Sequence, residues 1–191
     1  MRRVLMVMLM LLGLTLGWSL PVQAAVDPAA LGKAVTAIER LDQLRTGLAS
    51  GVENTTTEPT LTTFKEVCAP VGQQARAIAQ TNGWQVRQVA ARYRNPQHQP
   101  QNLTEEAALA ELAEHPQVQA FWETDDQGIH YFRRIDVQAS CLVCHGARDK
   151  VPAFVKNRYP QDLAYDFQVG DLRGMYHVLI PALQMATAPL P

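Results

Sequence analysis

One pentapeptide, Cys141-Leu142-Val143-Cys144-His145, constrains this chain more than any other feature. C-x-x-C-H is the spacing by which c-type cytochromes attach haem. Two thiols three positions apart each bond one vinyl group of a single porphyrin, and the adjacent imidazole then lies under the iron. The run therefore predicts one covalent haem c, with Cys141 and Cys144 as attachment points and His145 as proximal metal ligand. Two other uses of C-x-x-C fit less well. A structural zinc site wants a second ligand pair, and a thioredoxin-like redox pair normally sits in a βαβ setting. Neither accounts for a histidine directly behind the second cysteine.

Haem c is attached after export, and the N-terminal residues agree with that requirement. Arg2 and Arg3 form a short basic region, Val4 to Leu16 is almost wholly apolar, and Pro21 precedes Val22-Gln23-Ala24, which ends in the small residue that signal peptidase prefers. The pattern predicts a signal peptide over 1–24, cleaved after Ala24, and export to a periplasm or a thylakoid-lumen-type compartment. An uncleaved anchor is the alternative, because Val4 to Leu20 approaches the length that crosses a bilayer. No cysteine lies near this segment to carry a lipid.

Without residues 1–24, 15 Lys and Arg face 18 Asp and Glu, a net charge of −3. That balance, with no strongly basic face, points away from nucleic acid. The remaining 167 residues suffice for one domain with a real core and not for two. The body of the chain holds no long apolar run, so no stable transmembrane segment is expected in the mature protein. No output domain fits in this length, and any signal must pass to a separate partner protein.

Hydrophobic periodicity supplies the elements. Leu31, Val35, Ile38, Leu41, Leu44 and Leu48 predict a helix over Pro28 to Leu48, ended at Ser50-Gly51 and followed by a polar, threonine-rich loop. A second helix is expected from about Leu61 to Thr81, kinked by Pro70 near Cys68 and stopped at Asn82-Gly83. Alternation from Trp84 to Tyr93 predicts a strand, and Thr104 to Glu114 a short helix before His115-Pro116. Val118 to Glu123 and Ile129 to Asp136 flank an acidic, glycine-containing turn and read as a β-hairpin that leads straight into the haem motif. Pro152 to Arg158 predicts a short helix and Leu172 to Ile180 a last strand. The expected divisions are a leader over 1–24, a helix and loop over 25–58, a haem domain over 59–185 and a loose tail over 186–191. This order predicts an α+β fold with an antiparallel sheet. An ordinary small cytochrome c would be all helical with its motif early.

The second axial position separates carrier, sensor and catalyst. Met175 would raise the potential as in ordinary cytochromes c, but it sits in an expected strand beside His177, where packing is the simpler role. His130 and His177 also fall in expected strands, where a lone histidine is commonly a satisfied or surface residue. Cys68 is a third thiol in an exported chain, exposed to oxidation unless something protects it. From the residues alone it is either a small buried side chain on a helix stripe or a ligand.

Several segments, taken in order, resemble the PAS-like c-type haem sensor family. They are Lys65-Glu66-Val67-Cys68-Ala69-Pro70, Arg92-Tyr93-Arg94-Asn95-Pro96, Cys141 to Gly146, Tyr159-Pro160-Gln161-Asp162-Leu163-Ala164 and Gly170-Asp171-Leu172-Arg173-Gly174. The resemblance implies a PAS-like antiparallel sheet with flanking helices and an iron held by His145 and Cys68. Many relatives carry an attached transmitter, which this chain lacks.

A thiolate at the iron favours the ferric state and lowers the potential below that of a His/Met cytochrome. The expected function is therefore a low-potential redox or diatomic-gas sensor. On reduction the Fe–S bond weakens, a site opens for CO or NO, and the helix bearing Cys68 moves. Arg92, Arg94, Arg133 and Arg134 are the candidate partners of the propionates, since arginine pairs bidentately with carboxylate; alternation should turn only one of Arg133 and Arg134 inward. Phe64, Val67, Val71, Trp122 and Tyr131 are candidate walls of the haem pocket. The rival readings are a soluble c-type electron-transfer protein and a peroxidase-like enzyme, the latter requiring an open distal site with an acid–base residue. No catalytic triad, phosphate loop or paired-carboxylate motif is present, so no enzymatic role is expected.

Overall fold

The computed structural model describes residues 27–53, 55 and 57–182. The leader expected over 1–24 and the tail over 186–191 lie outside the described residues. Helix α1 (Pro28–Ser50) starts where the Asp27 carboxylate accepts the Ala29 N–H and Pro28 opens the first turn, a position that needs no amide proton. Ala34, Ile38 and Leu41 form its buried stripe, and the helix stops at Gly51.

The long helix expected over 61–81 is two. Thr60 and Thr63 cap α2 (Leu61–Val67) reciprocally, Cys68 stands at the junction, and α3 (Ala69–Asn82) ends on Gly83 with a left-handed φ of 68°. Pro70 lies in the first turn of α3. Its missing N–H and the bulk of its ring break continuity with the preceding turn, so the expected kink is a full interruption centred on Cys68.

Strand β1 (Gln85–Val89) is shorter than the run to Tyr93 suggested. The Ala90 N–H turns to the His98 carbonyl at 2.9 Å, and residues 91–95 leave the sheet. Asn102 caps α4 (Leu103–Glu114), and the hairpin strands are β2 (Ala120–Thr124) and β3 (Gly128–Asp136). Helices α5 (Leu142–His145) and α6 (Ala153–Arg158) precede β4 (Leu172–Pro181). The four strands lie in the order β1-β4-β3-β2, every neighbouring pair antiparallel. The fold is thus α+β with an antiparallel sheet and flanking helices.

Both faces of this sheet are covered. Ile129, Tyr131, Ile135, Tyr176, Val178 and Ile180 pack against α1 and α3, whereas Phe132 and Met175 pack against Ala108, Leu109 and Leu112 of α4. No helix among the described residues is long and apolar enough to cross a membrane. Double coverage corrects the expectation that only one of Arg133 and Arg134 turns inward. Arg133 reaches Glu39 at 2.9 Å and Asp42 at 3.3 Å on α1, while Arg134 pairs with Asp136 and donates to the Leu112 carbonyl on the α4 side. Each has an internal partner, which takes both out of the candidate propionate set.

The α4 face also carries a line of polar groups. Glu105, fully buried, is bonded to His177 Nδ1 at 2.9 Å and accepts the Gln101 N–H at 2.8 Å. His177 Nε2 meets His130 Nδ1 at 3.0 Å, and His130 Nε2 meets Asp125 at 3.0 Å. Burial pushes the Glu105 pKa up, but His177, the Gln101 N–H and Arg87 outweigh it and hold it below the usual carboxylate value. A folded-state pKa below the unfolded one adds stability above about pH 4.5 that disappears as pH falls through the folded value. Glu105→Gln should therefore cost about 1–3 kcal/mol at pH 7 by stranding buried donors. It should also flatten the acid limb of stability, read as urea midpoints at neutral pH and below about pH 4. Equal losses in both proteins on acidification would remove Glu105 as the source.

Candidate functional site

The chain between β3 and β4 leaves the sheet as one excursion, closed at its base where the Val137 N–H donates to the Asp171 carbonyl and the Gly170 N–H to the Val137 carbonyl, both at 2.9 Å. Cys141 ends a 3-10 turn that runs into α5, so consecutive helical turns set Cys141 and Cys144 three positions apart on one face. Gly146 closes α5 by donating to the Leu142 carbonyl at 2.8 Å, and a Cβ there would stand 2.6 Å from that oxygen. Only glycine follows His145 without pushing the motif open.

Segment 164–167 aligns the motif from the other side. The Asp166 N–H donates to the Gly146 carbonyl at 2.8 Å and the Phe167 N–H to the His145 carbonyl at 3.1 Å. His145 Nδ1 bonds the Ala164 carbonyl at 2.9 Å. A carbonyl can only accept, so the proton sits on Nδ1 and Nε2 carries a lone pair, with no hydrogen-bond partner among the described residues. Burial lowers the His145 pKa well below the ordinary imidazole value, and Arg173 and Arg94 push it the same way. A neutral imidazole with a carbonyl-fixed tautomer is the form a metal ligand takes.

Arg94 holds three of the sequence segments together. Its Nε donates to Asp162 at 2.6 Å, and its terminal nitrogen donates to the Cys144 carbonyl at 2.6 Å and the Ala164 carbonyl at 3.4 Å. Asp162 in turn accepts the Ala164 N–H at 2.7 Å. Both side chains are buried, the carboxylate completely. Arg94 is therefore a brace behind Cys144 and His145, with its Nε and one terminal nitrogen committed to internal acceptors.

Cys68 confronts this assembly from the α2–α3 break. Burial pushes its pKa up to about 11, reinforced by the neighbouring Cys144 thiol and opposed by Arg94 and Arg173. The residue is nevertheless exposed to solvent-sized space, and all three cysteines are free. Cys68 is therefore not part of a packed core, although Cys144, Arg94 and Arg173 lie near enough to act on it. Arg173 lies near enough to act on both Cys68 and His145. Burial lowers its pKa to about 10, Arg94 adds to that fall, and Asp162 opposes it.

The cleft brings together Cys68, Cys141, Cys144, His145, Arg92 and Arg94. Arg92 is exposed and stacks over the Phe167 ring at 3.9 Å. Phe64, one helical turn before Cys68, packs against Phe154 and Tyr159 at 6.4 Å each, and Val67 is half-buried in the same turn. Val71 and Tyr131 do not join the site: both belong to the core under α1, which corrects their assignment as pocket walls. Trp122 is half-exposed on the edge strand β2. Asp162, Arg173 and the Ala164 carbonyl were not singled out from the residues. Asp162 and Arg173 stood inside the matching segments without a chemical motif to mark them, and a backbone acceptor has no sequence signature.

The fit to a haem c is good on these grounds: two unpaired thiols on one helical face, a neutral imidazole with a free Nε2, and a third open thiol across the cleft. A family model, Tll0287-like, matches residues 23–181. The chain belongs to the Tll0287-like family. A solved structure, the crystal structure of the cyanobacterial heme-protein Tll0287, is similar to it with 61% identity and a TM-score of 0.77, covering 84% of this chain and 100% of that one. No curated protein matches the chain at significant similarity. That structure and this chain thus share a fold over 84% of this chain.

Proposed function

We propose that this chain binds one covalent haem c through Cys141 and Cys144, with His145 and Cys68 as axial ligands, and serves as a low-potential redox or diatomic-gas sensor in a PAS-like domain exported from the cytoplasm. The observation that carries the reading is the His145 hydrogen bond to the Ala164 carbonyl at 2.9 Å, which leaves an unprotonated Nε2 within the pentapeptide that attaches haem. The likeness to a cyanobacterial heme-protein over its full length supports the cofactor. A haem held there would supply one-electron chemistry and, where one ligand is lost, a site for CO or NO.

The protein's own part follows from what each side chain is free to do. Met175 is fully buried against α4, and His130 and His177 use their facing nitrogens on each other and their outer ones on Asp125 and Glu105. These three are committed elsewhere, which favours Cys68. Metal binding takes the thiol's proton against a raised pKa, so the Cys68 bond is the side of the pair that a change in iron charge disturbs more. Its position at the α2–α3 interruption lets that disturbance become movement of the α2 turn, which carries no buried residue. PAS-like character is supported by the antiparallel sheet with helices on its faces, and export by the leader-like sequence.

Hydrogen exchange on the oxidised and reduced protein tests the sensor. Protection should fall selectively around residues 61–70 on reduction while β3 and β4 stay unchanged. Identical exchange in both states would favour a soluble electron carrier passing charge to a redox partner.

A further inference from the structure

Arg173 is a half-buried cation without a carboxylate partner. Among the described residues no acidic group lies within salt-bridge distance of it, and one of its terminal nitrogens donates to the Arg92 carbonyl at 3.1 Å. Its guanidinium lies 5.6 Å from the centre of the Phe167 ring, on which Arg92 also stacks, and His145 meets the same ring edge-on at 6.2 Å. Phe167 therefore sets two guanidiniums and the motif imidazole around one aromatic side chain. Leu172, its neighbour, packs toward α4, and Gly174 is pinned against the Val89 carbonyl, so the backbone that carries Arg173 is fixed on both sides.

The local charge does not balance. Arg92, Arg94 and Arg173 act on one another, with Asp162 among them and the exposed Glu106 lining the groove beside Arg92 and Arg173. Asp162 is already taken by Arg94 at 2.6 Å, and among the described residues neither Arg92 nor Arg173 has a carboxylate within ion-pair distance. Withdrawing an unpaired guanidinium even partly from water is unfavourable, and a ligand of opposite charge offsets that cost. Ferric iron, a porphyrin dianion and one thiolate sum to zero, so the net charge of the cofactor would be that of its two propionates. Two unpaired guanidiniums match two carboxylates.

We infer that Arg173, with Arg92 beside it, is the carboxylate-binding end of the cleft and holds the haem propionates; of the four arginines expected in that role, Arg92, Arg94, Arg133 and Arg134, only Arg92 shares it. This inference rests on the haem reading above. Arginine suits the task because its planar fork pairs carboxylate bidentately, and Phe167 behind it removes competing water. A fixed positive charge near the iron also stabilises the added electron, so Arg173 tunes the potential upward against the pull of the thiolate.

The test is the resonance Raman propionate-bending band and the midpoint potential of the purified wild-type holoprotein, Arg173→Gln and Arg173→Lys. Arg173→Gln should move the band and lower the reduced-to-oxidised ratio at fixed applied potential at least tenfold, which is about 59 mV for one electron. Arg173→Lys should keep the potential near wild type while still moving the band, because it retains charge but not the fork. Should Arg173→Gln fail to fold, Arg173→Lys decides, and an unmoved band there overturns the inference. Wild type carrying haem with band and potential unchanged in both variants overturns it alone; wild type lacking haem overturns the haem reading and the inference together.

Discussion

Asp162→Asn should destabilise the protein by about 3–5 kcal/mol, the typical loss when one partner of a buried ion pair is removed. Arg94 would stay charged with its side chain almost wholly inside, its Nε facing a neutral amide in place of the carboxylate now 2.6 Å away. Asn also cannot serve Arg94 and the Ala164 N–H as two equivalent anionic oxygens, although Asp162 does so at 2.6 and 2.7 Å. Against a total stability of about 5–15 kcal/mol this is a large fraction. The damage should fall on the cleft, because Arg94 fixes the Cys144 carbonyl and the Ala164 carbonyl that orients His145. Urea midpoints and the haem-to-protein absorbance ratio should therefore fall together. A loss under about 1 kcal/mol, the range of an exposed pair, would mean that Arg94 is not the brace described here.

Much of this arrangement was legible in the residues. The apolar stripe of α1, the hairpin around its Asp and Gly turn, the late motif and the last strand all lie within a residue or two of the expected bounds. These features are local: periodicity, caps and turn residues decide them. Pro70 gave the interruption at Cys68, although the break is sharper than a kink because the proline falls in the first turn of α3. The errors came from tertiary context. Alternation in β3 predicts that only one of Arg133 and Arg134 turns inward, but helices cover both faces, so each packs against a different layer. Val71 and Tyr131 carry the residue types of a haem wall and of a core alike, and only their packing under α1 distinguishes the two. Asp162 and Arg173 act through partners distant in sequence, Arg94 across 68 positions and Arg92 across 81, which no local pattern encodes.

Cys68→Ala should change the electronic character of the site more than any other single substitution. Attachment depends on Cys141 and Cys144, which lie on a different element, and Cys68 is outside the buried core, so the variant should fold and keep its haem. Removing a thiolate donor stabilises the reduced iron, and the midpoint potential should rise by more than about 59 mV, a tenfold change in the one-electron equilibrium. The rise would be opposite in sign to the fall expected for Arg173→Gln, so the two variants separate the thiolate from the guanidinium. The most direct measurement is the pair of absorption and EPR spectra of the oxidised wild type and Cys68→Ala. A low-spin thiolate signal in the wild type that is lost in the variant is expected from His145 and Cys68 as axial ligands; identical spectra would contradict it and return Met175, His130 or His177 to the iron.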